Sequence, residues 1–497
     1  MERDLTLISE RMSGFAAETM GLNFPRERWA DLQRGLATAA DESGFENVPA
    51  YVDWLLSASP TEAQIKALSI HLTVGETYFF RERKTLDIFA NQILPELIGR
   101  RRGKEQRLRL WSAGCCTGEE AYSLAILIRQ LLPDLADWNV TILATDINAR
   151  FLRKAAAGCY GTWSFRETPS GFKERYFQQT AEGRFQIAPE IQRLVTFAHL
   201  NLGQDTYPSL ASETNAMDVI FCRNVLMYFT AARMRKVIGN LHRALIDGGW
   251  LAVSPSEVSQ ALFPQFATRN FPGVILYQRD DQRARGEQTP RQEPLEPELG
   301  SIPDEPHFFV SPPASLAPPP AEPLAPMEPV ELSGGPQTQA AALYERGCYA
   351  EAAEVLLAVA GELAAPESLA LLARALANQG KLAEALPWCD RWIAADKMDA
   401  GAHYLQAVIL LEQGAAEPAR QALLRALYLQ PDFVLPHFAL GNLARRNNKL
   451  EEADRHFANA LHLLEGHEAN DPLPASEGIT AGRLTETITM MTALQAR

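Results

Sequence analysis

The pattern of apolar and polar positions changes period sharply near residue 114. Residues 108–112 (LRLWS) form a short apolar run that reads as a buried strand, and residues 114–118 form a small-residue turn. From Glu119 onward the apolar residues Ala121, Leu124, Ala125, Leu127, Ile128 and Leu131 recur at helical spacing. A strand, a glycine turn and a helix predict the start of a βαβ unit. Upstream, helical periodicity in 5–20, 27–37, 48–57 and 61–72 predicts a small helical domain over residues 1–72, with Pro60-Thr61 and Glu62 marking one helix start. Downstream, residues 139–145 read as a second strand and 148–157 as a helix. Residues 184–187 and 192–197 read as short strands about a Pro189-Glu190 turn, giving a small antiparallel insertion over 164–200. Residues 194–202 place Asn201-Leu202 at a strand terminus. Residues 217–222 (MDVIFC) are continuously apolar, as a central buried strand requires. A helix is predicted over about 230–245, ended by Gly248-Gly249. Strands follow at 250–253 and 274–277, the last antiparallel.

Beyond residue 281 the pattern stops. About fourteen of the 32 prolines fall in residues 282–337 with Glu, Ala and Ser, the composition of an extended or disordered linker. Periodicity then returns as a repeat over 338–466. Gly380, Gly414 and Asn448 are spaced 34 apart, as are Ala385, Ala419 and Ala453, and His403 and His437; Tyr404 and Phe438 share the register. Thirty-four residues with helix–turn–helix patterning is the tetratricopeptide period, and such arrays present a concave binding surface. The matched histidines read as repeat positions rather than metal ligands. The tail, 467–497, holds a possible closing amphipathic helix over 478–495.

At 497 residues and 46% hydrophobic composition, two or three domains with sizeable cores are expected. The net charge of −14 argues against general nucleic-acid binding. Six cysteines (115, 116, 159, 222, 348 and 389) show no C-x-x-C and no zinc spacing, which reads as reduced thiols in a cytoplasm. A basic-then-apolar leader is absent, and no apolar run approaches the roughly 18 residues of a membrane span.

Candidate chemistry gathers at strand ends. The turn at 114–118 lacks the spacing of a phosphate loop, and its helix opens with Glu119 and Glu120. Two carboxylates there repel a pyrophosphate and attract a ligand carrying ammonium and sulfonium groups, such as S-adenosylmethionine; an ordinary strand–helix turn is the alternative. Asp146 stands at the end of the second strand, where an acidic residue binds ribose hydroxyls or merely begins the next helix. Its distance from Gly114 implies a long first helix. Arg223, Asn224 and Tyr228 follow the buried strand, at the carboxyl edge where ligands of open α/β sheets sit. Phe79 and Phe80 read as core anchors. Arg81, just beyond them, is either a carboxylate holder or a solvated surface residue, and the basic run 99–109 reads as a solvated face.

Four stretches, T73-VGETYFFRE, L110-WSAGCCTGEEAYS, A144-TDI and D218-VIFCRNVLMYF, together resemble the CheR family of chemoreceptor methyltransferases, over residues 1–281 and in the family's order. The C-terminal repeats resemble those of CheR proteins of Wsp- and Frz-type systems. The resemblance implies an α/β class I S-adenosylmethionine-dependent, Rossmann-like methyltransferase domain (73–281) with a helical N-terminal domain, a small β insertion and a tetratricopeptide domain. It implies that Thr77, Arg81, Glu120, Asp146, Asn201, Leu202, Arg223 and Asn224 contact S-adenosylmethionine, and that Arg81 and Tyr228 line the methyl-transfer site. No metal is implied. The implied activity is O-methylation of receptor glutamates, leaving S-adenosylhomocysteine, by a cytoplasmic protein recruited to membrane receptor arrays without inserting into the membrane. The repeats would bind a further protein, fold back on the catalytic domain or self-associate. The alternatives are a cofactor-binding scaffold and a methyltransferase of another protein. Three departures stand out: Gly75 replaces a common asparagine, Cys115-Cys116 replace a small Ala/Ser pair, and the insertion is short, which weighs against docking through a receptor's C-terminal peptide.

Overall fold

The structure is a computed structural model; it describes residues 2–58, 60–169, 171–203, 207–210, 212–281, 335–361, 363, 365–447 and 449–493. The linker expected at 282–337 lies outside the described residues, except that 335–337 already begin the first repeat helix; Asn448 also lies outside them.

The N-terminal domain is four helices, α1 (Glu2–Thr19), α2 (Trp29–Glu42), α3 (Val48–Leu55) and α4 (Glu62–Leu72). Their apolar stripes meet in a core that includes Met12, Leu32, Leu36, Val52 and Leu68. Thr61 opens α4 with a capping box: its hydroxyl accepts from Gln64 N (3.2 Å), and the Gln64 side chain accepts from Thr61 N (2.8 Å). Helices α5 (Arg83–Ile88) and α6 (Leu94–Arg101), joined by a π-helical turn, lead into the sheet.

The central domain is built on a seven-stranded sheet in the order β6-β2-β1-β7-β8-β10-β9. Its strands are β1 (Arg107–Ala113), β2 (Asn139–Asp146), β6 (Val195–His199), β7 (Met217–Phe221), β8 (Leu245–Ala252), β9 (Phe266–Phe271) and β10 (Val274–Arg279). The first five pair in parallel, and β10 runs antiparallel between β8 and β9. Helices α7 (Glu119–Leu131), α8 (Ala149–Ala157) and α11 (Ala231–Ala244) cover it. The strand order reverses between β1 and β7, which opens a crevice at the carboxyl ends of β1, β2 and β7.

Four expectations are corrected. Helix α7 is 13 residues, not long; the connection through a turn at Leu135–Asp137 takes up the remaining distance to Asp146. The insertion is β3 (Cys159–Tyr160), β4 (Phe177–Gln179) and β5 (Phe185–Ile187), supported by the short helix α9 (Phe172–Tyr176). The stretch 192–197 is not part of it. After the short helix α10 (Pro189–Gln192), Val195 and Phe197 turn into the main core, and β6 pairs with β2 as an edge strand of the large sheet. Gly248-Gly249 do not end α11, which hands over directly to β8. They absorb a bulge between the pairs Met217↔Leu245 and Val219↔Trp250. The basic run 99–109 is no uniform solvated face, because Arg101, Arg107 and Arg109 are drawn into buried ion pairs.

The repeats form four helix pairs: α12 (Pro336–Glu345) with α13 (Tyr349–Leu357), α14 (Pro366–Asn378) with α15 (Leu382–Ala395), α16 (Ala400–Glu412) with α17 (Ala416–Leu429), and α18 (Val434–Arg446) with α19 (Leu450–Leu464). Helix α20 (Ala481–Ala493) closes the array, burying Leu484, Ile488 and Met491. The equivalent residues Ala385, Ala419 and Ala453 are fully buried, since only a small side chain fits where paired helices touch.

The array folds back on the sheet domain, across the amino-terminal ends of β1, β2 and β7, opposite the crevice. The Glu412 carboxylate bridges Arg107 (3.0 Å) and Arg109, and Asn139 donates to the carbonyls of Leu411 (3.1 Å) and Glu412 (2.7 Å). Burial pushes the Glu412 carboxyl up, but the two guanidinium groups prevail and hold it below the usual carboxylate range. Gly380 (φ +75°) approaches the residue before β7 so closely that a Cβ there would lie 2.9 Å from Ala216 Cβ. Glu412→Ala leaves Arg109, 1% exposed, without its carboxylate. Breaking one side of such a pair costs about 3–5 kcal/mol, enough to release the repeats, so small-angle scattering should record a larger radius of gyration for this variant; an unchanged radius would show that the pair does not hold the domains together.

Candidate active site

All nine residues singled out as site residues line one cavity of about 310 Å³ at the crevice: Thr77, Arg81, Glu120, Asp146, Asn201, Leu202, Arg223, Asn224 and Tyr228. Its floor is the turn after β1. Gly114 (φ +90°) has no room for a side chain, since a Cβ would lie 2.3 Å from Val225. Cys116 also takes a left-handed backbone (φ +50°), and its N–H donates to Asp146 (2.9 Å). The other Asp146 oxygen accepts from Asn148 N (2.8 Å). Burial raises the Asp146 carboxyl to about 6 despite these backbone donors. The helix-start role falls instead to Asn148, whose side chain accepts from Arg150 N and Phe151 N.

The two glutamates of α7 part company. Glu119 is buried against the Thr117 and Ser164 hydroxyls (2.6 and 2.9 Å) and does not line the cavity. Glu120 does. One of its oxygens accepts from Ser112 (2.6 Å) and the other from Arg223 (3.1 Å). Burial raises its carboxyl, and Arg223 opposes the rise. Arg223 is itself a brace, pairing with Glu82 (3.0 Å) and donating to the Arg81 carbonyl. The loop that carries Arg81 is bent by left-handed residues on either side, Phe80 (φ +60°) and Glu82 (φ +56°). Phe79 is the core anchor, ringed by Tyr160, Phe165, Phe172 and Phe177, whereas Phe80 reaches the cavity.

The remaining walls come from both domains. Asn201 accepts from Gly203 N (2.9 Å) and donates to the Thr19 carbonyl at the end of α1 (3.1 Å), so its amide ties the helical domain down. Leu202 adds apolar surface. Tyr228 sits at the mouth, where its carbonyl accepts from Asn23 N (2.7 Å) and Arg28 lies over its ring (5.4 Å). The departure at Gly75 has a cause: a Cβ there would fall 2.4 Å from the Phe151 ring, which lines the cavity in its place.

Sequence reasoning missed Glu257. This buried carboxylate accepts from the backbone of Asn224 (2.8 Å), Val225 (2.8 Å), Met227 (3.2 Å) and Ser254 (3.1 Å) and so shapes the loop carrying Asn224 and Tyr228. Arg28 and Glu82 were missed as well. The sequence held one signal for Glu257, a Ser-Pro-Ser-Glu capping pattern at 254–257.

The cavity fits S-adenosylmethionine. Glu120 and Asp146 supply acceptors for an ammonium and for ribose hydroxyls, Leu202 and Phe151 supply apolar wall, and the turn at Gly114 admits close approach. Among the described residues no group of three or more His, Cys, Asp or Glu is placed to hold a metal ion.

Two outcomes follow from this geometry. The ionised form of Asp146 is the one that accepts from hydroxyls, so calorimetry should show cofactor affinity rising about tenfold from about pH 5 to about pH 7. Asp146→Asn should abolish that rise. In the cofactor-free protein the same raised group works the other way, its contribution to stability being lost as the pH climbs through about 6. Glu257→Ala strips four backbone N–H groups of their acceptor; with water filling part of the gap, denaturant unfolding should show a loss of roughly 3 kcal/mol, with methyl transfer down at least about tenfold.

Known proteins agree with this reading. Residues 75–271 match the family profile described as CheR methyltransferase, SAM binding domain. Chemotaxis protein methyltransferase 2 of Vibrio cholerae is 32% identical over 46% of this chain and 77% of its own length. Chemotaxis protein methyltransferase 1 of Pseudomonas aeruginosa is 37% identical over 41% and 74%. The probable biofilm formation methyltransferase WspC of the same species is 30% identical over 396 residues, 78% of this chain and 83% of its own, a length that must run past the catalytic domain into the repeats. With its cofactor cavity, its motif order and these relatives, this S-adenosylmethionine-dependent methyltransferase belongs to the CheR family of chemotaxis protein methyltransferases.

Proposed function

We propose that the methyl acceptor is a glutamate side chain on the cytoplasmic helices of a chemoreceptor. One observation carries the reading: the charge of the cavity is divided. Its floor, at the strand ends, holds the carboxylates Glu120 and Asp146, the former paired with Arg223, and its mouth holds Arg28, Arg81 and Tyr228 beside the exposed Glu76. An acidic floor suits a cationic cofactor, and a basic, hydroxyl-bearing mouth suits an anionic acceptor.

A glutamate is already ionised at neutral pH, with a reference pKa near 4.3, so no general base is required. The bound cofactor supplies an electrophilic methyl group. Arg81 and Tyr228 hold and orient the incoming carboxylate, and the half-buried mouth strips part of its water. Arg223 keeps the Arg81 loop and Glu120 in register. Among the described residues no helix is long and apolar enough to cross a membrane. In this reading the enzyme comes to the receptor array as a peripheral partner, and the repeats recruit a further protein.

The test is methyl transfer from labelled S-adenosylmethionine to membranes bearing the host's chemoreceptors. Base-labile label, released as methanol from a receptor band, is the expected result. Base-stable label, or none in any receptor, would overturn the glutamate assignment. Arg81→Ala should lower the rate about 100-fold while leaving the fold intact by circular dichroism; full activity in that variant would remove Arg81 from the site.

A further inference from the structure

The helix that lines the inner face of each repeat ends at an equivalent position, 34 residues from the next: Tyr344, Asn378, Glu412 and Arg446. All four reach a partner beyond their own helix pair. Glu412 takes Arg107 and Arg109, and Arg446 lies 4.0 Å from Glu213. Tyr344 and Asn378 (3.2 Å) both donate to one oxygen of Glu477, from the segment between α19 and α20. The other Glu477 oxygen accepts from Leu210 N (2.9 Å), in the loop between β6 and β7, and the Leu210 side chain is buried in the apolar cluster of the first repeats. Only about 20 Å³ of open space is left beside Leu210, Tyr404 and Glu477.

The two intruding segments share a sequence. Residues 208–213 read Pro-Ser-Leu-Ala-Ser-Glu and residues 472–477 read Pro-Leu-Pro-Ala-Ser-Glu, both of the form Pro-x-x-Ala-Ser-Glu. Both glutamates, Glu213 and Glu477, take left-handed backbones (φ +54° and +53°), and Ala475 does too (φ +58°). These are conformations that L residues adopt only when held. The contact is also incompletely satisfied. Arg109 Nε, Glu213 Oε2, Asn215 Oδ1 and Asn378 Oδ1 are buried without a hydrogen-bond partner.

We propose that the inner face of the repeats is a receptor for acidic peptides of the Pro-x-x-Ala-Ser-Glu type, filled in this chain by its own two copies, and that a protein partner presenting such a segment enters by displacing Glu477. The polar row at 344, 378, 412 and 446 reads the charge of the glutamate. This deepens the recruitment role proposed above. Its test uses neither receptor nor methyl transfer, so it can fail while the glutamate assignment stands.

The probe is a fluorescently labelled synthetic peptide copying residues 471–480, titrated into the full chain and followed by anisotropy. The Glu477→Ala chain, its carboxylate site vacated, should bind the peptide at least tenfold more tightly than the wild-type chain. The same peptide with glutamine in place of its glutamate should bind the variant chain at least tenfold more weakly. If Glu477→Ala aggregates, Glu477→Gln keeps the packing and serves the same comparison. Adding Asn378→Ala to either variant should weaken binding again. Absence of binding to the vacated chain, or equal binding of the glutamate and glutamine peptides, would overturn the proposal.

Discussion

The site depends on one buried cation. The Arg223 side chain is 2% exposed and carries a full charge at the carboxyl end of the central strand β7. An unpaired guanidinium there would be too costly to bury, so the surrounding chain must bring it carboxylates. Glu120 comes from the first turn of α7, and Glu82 comes from the loop that enters the domain. The bond to the Arg81 carbonyl then fixes the loop between two left-handed residues. One charge thereby sets the position of three segments far apart in sequence, and with them the floor and one rim of the cavity. Arg223 therefore acts through its neighbours, because most of its donors are already engaged.

The cavity is also an interdomain product. The sheet supplies Asp146 and the turn at Gly114, but the opposite wall is Met20, Leu22, Phe24 and Arg28 of the helical domain. Asn201 to the Thr19 carbonyl, Asn23 N to the Tyr228 carbonyl and a bridge between Leu22 and Phe229 stitch the two together. Each stitch falls on or beside a site residue. The helical domain and the active site therefore move as a unit, and a substrate that leans on the helices leans on the pocket as well.

The repeats obey a different balance. Inside the array, small residues at 34-residue spacing let apolar helices interdigitate, which is core packing. Between the array and the amino ends of the strands the contacts are mainly ionic and polar, with Leu210 an apolar exception and several buried atoms left without hydrogen-bond partners. Apolar burial stabilises each domain separately, whereas the join between them rests chiefly on charge matching. Such a join resists water poorly and responds to any competing charge.

Local rules made much of this legible. The change of period at Gly114 gave the strand–turn–helix, the continuous run at 217–222 gave the buried strand, and the 34-residue repeat gave the array. The nine residues carried over from the family motifs line the cavity, whereas Glu119, read with Glu120 as facing the cofactor, does not. The errors fell where only a long-range partner decides. Val195 and Phe197 became a strand of the large sheet because β2 offered an edge, and Gly248-Gly249 became a bulge because β7 fixed the register. Arg107 and Arg109 looked like surface charge because Glu412, some three hundred residues away, is invisible to local periodicity. Glu257 escaped notice because a carboxylate that collects backbone N–H groups has no sequence spacing of its own. The sequence by itself determined the elements, the motif chemistry and the repeat, since these depend on periodicity and short-range sterics. Tertiary structure decided which charges became buried pairs and which segments filled the repeats, because desolvation and pairing depend on what lies opposite in space.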